Sequence, residues 1–169
     1  MKHTISVLVE NRPGVLARVA GLFARRGFNI HSLAVGITES PDVSRMTIVV
    51  DLPERPLEHV TKQLYKLINV LKVIEMEPGN SVERELMLVK VTATPEARSQ
   101  IFELVHVFRA KIVDVSNDAM TVEVTGSPEK LHAFEDLVSD RIIELVKTGR
   151  VALARGSKSI KDRTLRVAG

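Results

Sequence analysis

Six consecutive residues, Asn11-Arg12-Pro13-Gly14-Val15-Leu16, combine the residue types that a small anionic ligand needs. They lie where an apolar strand pattern gives way to a helical one. A helix start leaves backbone N–H groups unpaired along the axis with partial positive charge, so a carboxylate or phosphate binds there. Pro13 presets the first turn, Gly14 has no Cβ to hold a ligand off the backbone, and Asn11 brings both an acceptor and donors. An amino acid suits such a place, with its carboxylate on the helix amides, its ammonium on carbonyls and its side chain among apolar neighbours. The same residues also suit an ordinary capped strand-to-helix turn.

Other chemistry is hard to find. The histidines, His3, His31, His59, His106 and His132, never fall at a ligand spacing such as i,i+4, so no metal site is expected. Asp114 and Asp118 flank a turn, while Asp136 and Asp140 share a solvated helix face. No nucleophile elbow or phosphate-binding glycine loop occurs. No residue is assigned a catalytic role, and no cofactor is expected in this chain.

The chain has 169 residues, no cysteine, and 24 Lys+Arg against 21 Asp+Glu, a net charge of +3. That length suits one medium domain or two small ones. The missing cysteines remove disulfides and thiolate chemistry and fit a reducing compartment, so a cytoplasmic location is expected. Apolar runs reach only a few residues where a bilayer needs about 20, so no membrane association is expected. Six of the basic residues fall from Arg150 onward with one acid, Asp162, which leaves the rest of the chain slightly acidic. A short basic tail, with no Trp and one Tyr, gives little reason to expect nucleic acid as a partner.

The elements that must position the Asn11–Leu16 loop follow from periodicity. A strand is expected over His3–Val9, a helix carrying Val15, Leu16, Val19, Leu22 and Phe23 up to a Gly27 stop, then strands over Phe28–Ile37 and Ser44–Leu52. After a Pro53–Pro56 break come a helix with Leu57, Val60, Leu64, Leu67 and Ile68 and a strand over Val70–Met76. The Glu77–Ser81 stretch is a polar break, and the pattern then restarts. It predicts a strand over Glu85–Thr94, a helix after Pro95, and strands over Ile112–Val115 and Met120–Val124 around a Ser116-Asn117-Asp118 turn. A helix capped by Ser127 with Pro128 at its first position and a strand over Ile142–Val146 complete it. The order strand-helix-strand-strand-helix-strand thus occurs twice, which predicts an α+β chain of two tandem ferredoxin-like βαββαβ domains, residues 1–78 and 80–156, with a basic tail over 157–169.

Strand-Asn11-Arg12-Pro13-Gly14-Val15-Leu16-helix-Gly27-Phe28-Asn29-Ile30-strand resembles the ACT domain, a regulatory fold that commonly binds amino acids between two chains. More specifically, with Asn29-Ile30-His31-Ser32-Leu33, Arg84-Glu85-Leu86 and the run from Thr148-Gly149 to Ala154-Arg155-Gly156, the chain resembles the regulatory small subunits of acetolactate synthase. The likeness covers nearly everything from Met1 to about Arg155. It implies an N-terminal ACT domain and a C-terminal ACT-like domain, and a non-catalytic chain. The implied partner is the large catalytic subunit, which holds thiamine diphosphate, magnesium and FAD and opens branched-chain amino-acid synthesis. By the same likeness, the chain raises that partner's activity and confers feedback inhibition by L-valine. The effector loop maps onto Asn11, Pro13, Gly14, Val15 and Leu16 of one chain, with Asn29 and Ile30 supplied by a neighbour in an ACT-mediated homodimer. The second domain is expected to help dock or activate the large subunit.

Two other readings stand beside it. One is an ACT-containing, amino-acid-responsive regulator of another enzyme or of transcription; the latter needs a DNA-reading head, and no helix-turn-helix lies outside the two repeats. A small enzyme on a ferredoxin-like scaffold is open to this topology but lacks acid-base or metal constellations.

Overall fold

The computed structural model describes residues 2–51, 57–157 and 159–160. The Pro53–Pro56 break and most of the basic tail lie outside them. Contacts divide the chain into two compact units: one holds the chain up to Val82 together with the segment from Arg150, the other Glu83–Gly149.

The first unit opens with β1 (Lys2–Glu10), α1 (Val15–Arg25), β2 (Ile30–Ile37), β3 (Val43–Asp51), α2 (Leu57–Leu64) and β4 (Val70–Met76). Its antiparallel sheet runs β2-β3-β1-β4. With β1 inside the sheet, Thr4–Val9 are all buried, which is why its apolar residues crowd rather than merely alternate. Ile5, Val7 and Val9 share one core with Met46, Ile48 and Val50 of β3, Val15, Val19, Leu22 and Phe23 of α1, and Val60 and Leu64 of α2.

The stop after α1 is a Schellman turn: the Phe28 N–H donates to the Phe23 carbonyl and the Gly27 N–H to that of Ala24, both at 3.1 Å. Gly27 takes φ +68°, open to glycine at little cost.

The second unit repeats the order. Strand β5 (Ser81–Thr92) enters it, followed by α3 (Arg98–Val107), β6 (Lys111–Val115), β7 (Ala119–Gly126), α4 (Pro128–Leu137), a 3-10 turn at Ser139–Arg141 and β8 (Ile142–Lys147). The sheet order is β6-β7-β5-β8, the same as in the first unit. Met87, Val89, Val91, Met120, Val122 and Val124 pack under Ile101, Leu131 and Phe134. The rings of Phe108 and Phe134 meet edge to face at 5.2 Å. Ser127 caps α4 by accepting the Lys130 N–H at 3.4 Å, with Pro128 at the first helical position, as its sequence predicts.

One strand has no counterpart in the sequence reading. Strand β9 (Val151–Ala154) pairs with β5 and lies beside β4. The Arg155 N–H donates to the Asn80 carbonyl at 2.9 Å. Arg150 donates its backbone N–H to Ser32 Oγ at 2.9 Å and Nη1 to Thr4 Oγ1 at 3.1 Å. The expected second domain ran to residue 156, whereas these contacts tie the segment from Arg150 to the first unit. Four residues of strand with partners far away in sequence leave little local signal.

Candidate functional site

The Asn11–Leu16 loop leaves β1 at the end of the sheet where the β2–β3 turn lies, Glu10 pairing with Val43. The Asn11 N–H donates to the Asp42 carbonyl at 2.7 Å, and Asn11 Nδ2 donates to the Pro41 carbonyl at 2.9 Å. Asn11 therefore spends part of its donor capacity clamping the turn, and its Oδ1 keeps its acceptor capacity. Pro13 stands before the helix rather than in its first turn: α1 starts at Val15, and Gly14 is its N-cap at φ +84°, with no side chain to accept an amide. Nothing lies within 4 Å of where a Cβ on Gly14 would sit, so the left-handed backbone, not a clash within the chain, calls for glycine.

At the helix start the Val15 N–H reaches the Arg12 carbonyl at 3.4 Å and the Arg18 N–H the Gly14 carbonyl at 3.1 Å. Among the described residues the amides of Leu16 and Ala17 between them have no carbonyl acceptor. No acidic side chain stands in the first turn. Val15 is buried in the core, whereas Leu16, 43% exposed, leaves an apolar surface beside those amides.

Two arginines frame this helix start. Arg12 pairs with Glu10 at 3.0 Å, Glu10 accepts from Asn69 Nδ2 at 3.2 Å, and Asn69 Oδ1 accepts from Arg18 Nη1 at 2.8 Å. The Glu10 N–H also donates to the Asn69 carbonyl at 2.9 Å. Arg18 is not singled out by the sequence reading, although a cation one turn beyond Gly14 is a local signal that could have marked it. Asn69 carries no such signal, because nothing local marks a residue so distant in sequence as part of this network.

Asn29 and Ile30 lie elsewhere. Ile30 pairs with Val50 and Glu10 with Val43, so the two groups stand at opposite ends of β3, about 23 Å apart along it at roughly 3.3 Å per residue. Asn29 is exposed, and its carbonyl accepts the Asp51 N–H at 3.5 Å. One chain thus brings Asn11, Pro13, Gly14, Val15 and Leu16 together but holds Asn29 and Ile30 away from them.

The second unit repeats both the clamp and the opening: the Arg98 N–H reaches the Thr94 carbonyl at 3.1 Å and the Ile101 N–H that of Ala97 at 3.4 Å, while among the described residues the amides of Ser99 and Gln100 between them have no carbonyl acceptor. The Ala93 N–H, first after β5, donates to the Asp118 carbonyl of the β6–β7 turn at 2.7 Å, as Asn11 does to Asp42. There Glu96 precedes the N-cap, Ala97. Its own backbone N–H, and then Thr94, donate to that carboxylate and hold it below the usual glutamate range. That carboxylate is bonded within its own loop, and α3, like α1, has no acidic side chain in its first turn.

The histidines are dispersed: His3 meets Glu75, His59 meets Arg26, and His132 lies near Asp136. Among the described residues no three His, Asp or Glu side chains converge as a metal would need. Nor is any helix among them long and apolar enough to cross a membrane.

Comparison with known proteins places these features in a lineage. The family profile described as AHAS small subunit-like ACT domain matches residues 5–72, and that described as small subunit of acetolactate synthase matches residues 84–156. The chain is 60% identical to a probable acetolactate synthase small subunit of Archaeoglobus fulgidus, across 94% of this chain and 99% of that protein. It is 57% identical to the acetolactate synthase small subunit of Mycolicibacterium smegmatis, across 94% of both. A crystal structure of the Thermotoga maritima acetolactate synthase small subunit superposes with a TM-score of 0.85 at 44% identity, covering 94% of this chain and 99% of that one.

Proposed function

Because the chain belongs to the acetolactate synthase small-subunit family, we propose that it is the non-catalytic regulatory partner of a large catalytic subunit, activating it and making it sensitive to L-valine. Valine sits on the helix start of one chain, its carboxylate on the Leu16 and Ala17 amides and its side chain against Leu16. Asn29 and Ile30 of a second chain complete the site.

The observation that carries this reading is the separation of the two half-sites along β3. Strand β2 is a sheet edge on which Val35 and Ile37 are 46% and 66% exposed. Antiparallel pairing of β2 with its own copy covers that edge and sets Ile30 of one chain beside Ile37 of the other. Ile37 pairs with Ser44, one residue from Val43 and close to the turn that Asn11 clamps. A two-fold axis through the β2 edges therefore brings together what a single chain holds apart.

A ligand that bridges two chains favours one arrangement of them over another, and a coupling of about 1–3 kcal/mol suffices to inhibit a partner several-fold or more. Thiamine diphosphate, magnesium and FAD belong to the large subunit in this reading, and the unit around residues 80–156 serves docking and activation.

Calorimetric titration with L-valine tests the proposal, with D-valine and leucine as controls. Stereospecific binding at one ligand per chain or per two chains is expected. Absence of binding both to the chain alone and to its complex with the large subunit would overturn it.

A further inference from the structure

The second unit carries its own unprotected edge. Among the described residues strand β6 pairs with β7 alone, and Val113 and Val115 on it are 51% and 53% exposed. Helix α3 flanks the same edge. Arg98 at its start reaches the Ser116 and Asn117 carbonyls of the β6–β7 turn, while Gln100 accepts from Arg141, just before β8. Phe102, about 200° round the helix from Gln100, therefore sits on the flank toward β6, where it is 49% exposed.

The charges on this edge complement themselves. A bulge makes Val113 an extra residue, since Ile112 pairs with Val122 and Asp114 with Thr121. Lys111 pairs with Glu123, two residues along β7 from Thr121, so Lys111 and Asp114 project from the same face of the sheet. Neither makes an ion pair among the described residues, although Lys111 stands across from Glu123. The other edge, β8, differs: Glu144 meets Lys90 at 3.4 Å and Lys147 meets Glu135 at 2.6 Å. The charges of β8 are satisfied within the chain, and those of β6 are not.

We propose that β6 pairs antiparallel with β6 of a second copy of this chain. The two-fold axis passes by the Ile112–Val113 pair, Lys111 of each chain faces Asp114 of the other, and Val113, Val115 and Phe102 are buried at the contact. Two opposite charges on one face of a strand satisfy each other twice across such an axis, which is the signature of an isologous contact. This interface is separate from the β2 edge and independent of valine. A chain with two self-complementary edges assembles beyond a dimer unless both edges join the same pair of chains.

The chain has no cysteine, so one introduced thiol reports the geometry directly. In this register Val113 of each chain lies beside the axis, one residue step diagonally from Val113 of the other, so at about 4.8 Å between strands and 3.3 Å per residue their Cα atoms are about 6 Å apart, within disulfide reach. Full-length Val113→Cys is expected to oxidise to a covalent dimer about tenfold faster than Val146→Cys, an exposed control on β8. Adding Asp114→Lys to Val113→Cys abolishes the fast link, and adding Lys111→Asp as well restores it, because the swapped pattern is again self-complementary. Equal rates for the two thiols, as free collision or a partner other than this chain would give, overturn the proposal. So does failure of the double swap to restore the link while circular dichroism shows the fold intact.

Discussion

At Gly14 the backbone sits at φ +84°, so any replacement meets strain before it meets a neighbour. Gly14→Asp is expected to fold with a loss of about 1–2 kcal/mol from the left-handed conformation alone, seen as a lower thermal midpoint. Its carboxylate would stand beside the ligand carboxylate, so the valine heat in calorimetry disappears. Normal valine inhibition by this variant would refute the mapping of the loop. Asn29 offers the complementary case. Its structural contact is made by its carbonyl, so Asn29→Ala leaves the fold and the stimulation of the large subunit in place and weakens valine. Equal loss of stimulation and inhibition would make Asn29 a structural joint instead.

Between elements, the two units solve the same problems with different residues. Both first helices end in a Schellman turn, for the Ala110 N–H donates to the Val105 carbonyl and the Arg109 N–H to that of His106, as Phe28 and Gly27 do in the first unit. Arg109 holds the left-handed position at φ +49°, where a side chain is strained. Arg109→Gly is therefore expected to stabilise the second unit by about 0.5–1 kcal/mol, measured by denaturant unfolding. Arg98 joins α3 to both neighbouring strand ends, donating to the carbonyls of Ala93, Ser116 and Asn117. Arg98→Ala should cost about 1.5–3 kcal/mol in the same assay.

Glu96 adds a pH dependence to this helix start. Its folded-state pKa is depressed, so its contribution is present above the ordinary glutamate range and is lost as pH falls through the lower folded value. Glu96→Gln should flatten the acid limb of the stability curve. An unchanged acid limb would show that the contact contributes nothing.

Over the whole chain, the return at Arg150 ties the far end of the sequence to the first unit. Thr4 and Ser32 sit on different strands of that sheet, and Arg150 bonds to both. Arg150→Ala removes the side-chain bond to Thr4 and leaves the backbone bond to Ser32, so the first unit should lose about 1–3 kcal/mol. Unfolding monitored at a probe in the first unit checks this, and an unaffected midpoint would make the return an ornament of the fold.

Periodicity alone was enough to place the first six elements of each unit in order, because apolar spacing records which face of a helix or strand is buried. Gly27, Ser127 and Pro128 marked their boundaries because capping chemistry is local. Gly14, just before α1, was legible for the same reason. Other features depended on partners distant in sequence: β9, the Asn69 link between Glu10 and Arg18, and the clamp of Asn11 on Pro41. The placement of Asn29 and Ile30 at the far end of β3 from Gly14 is of that kind too, since strand register sets it. Local composition can name residues fit to hold a ligand. Whether they meet within one chain, or need two, is settled by how the strands pair.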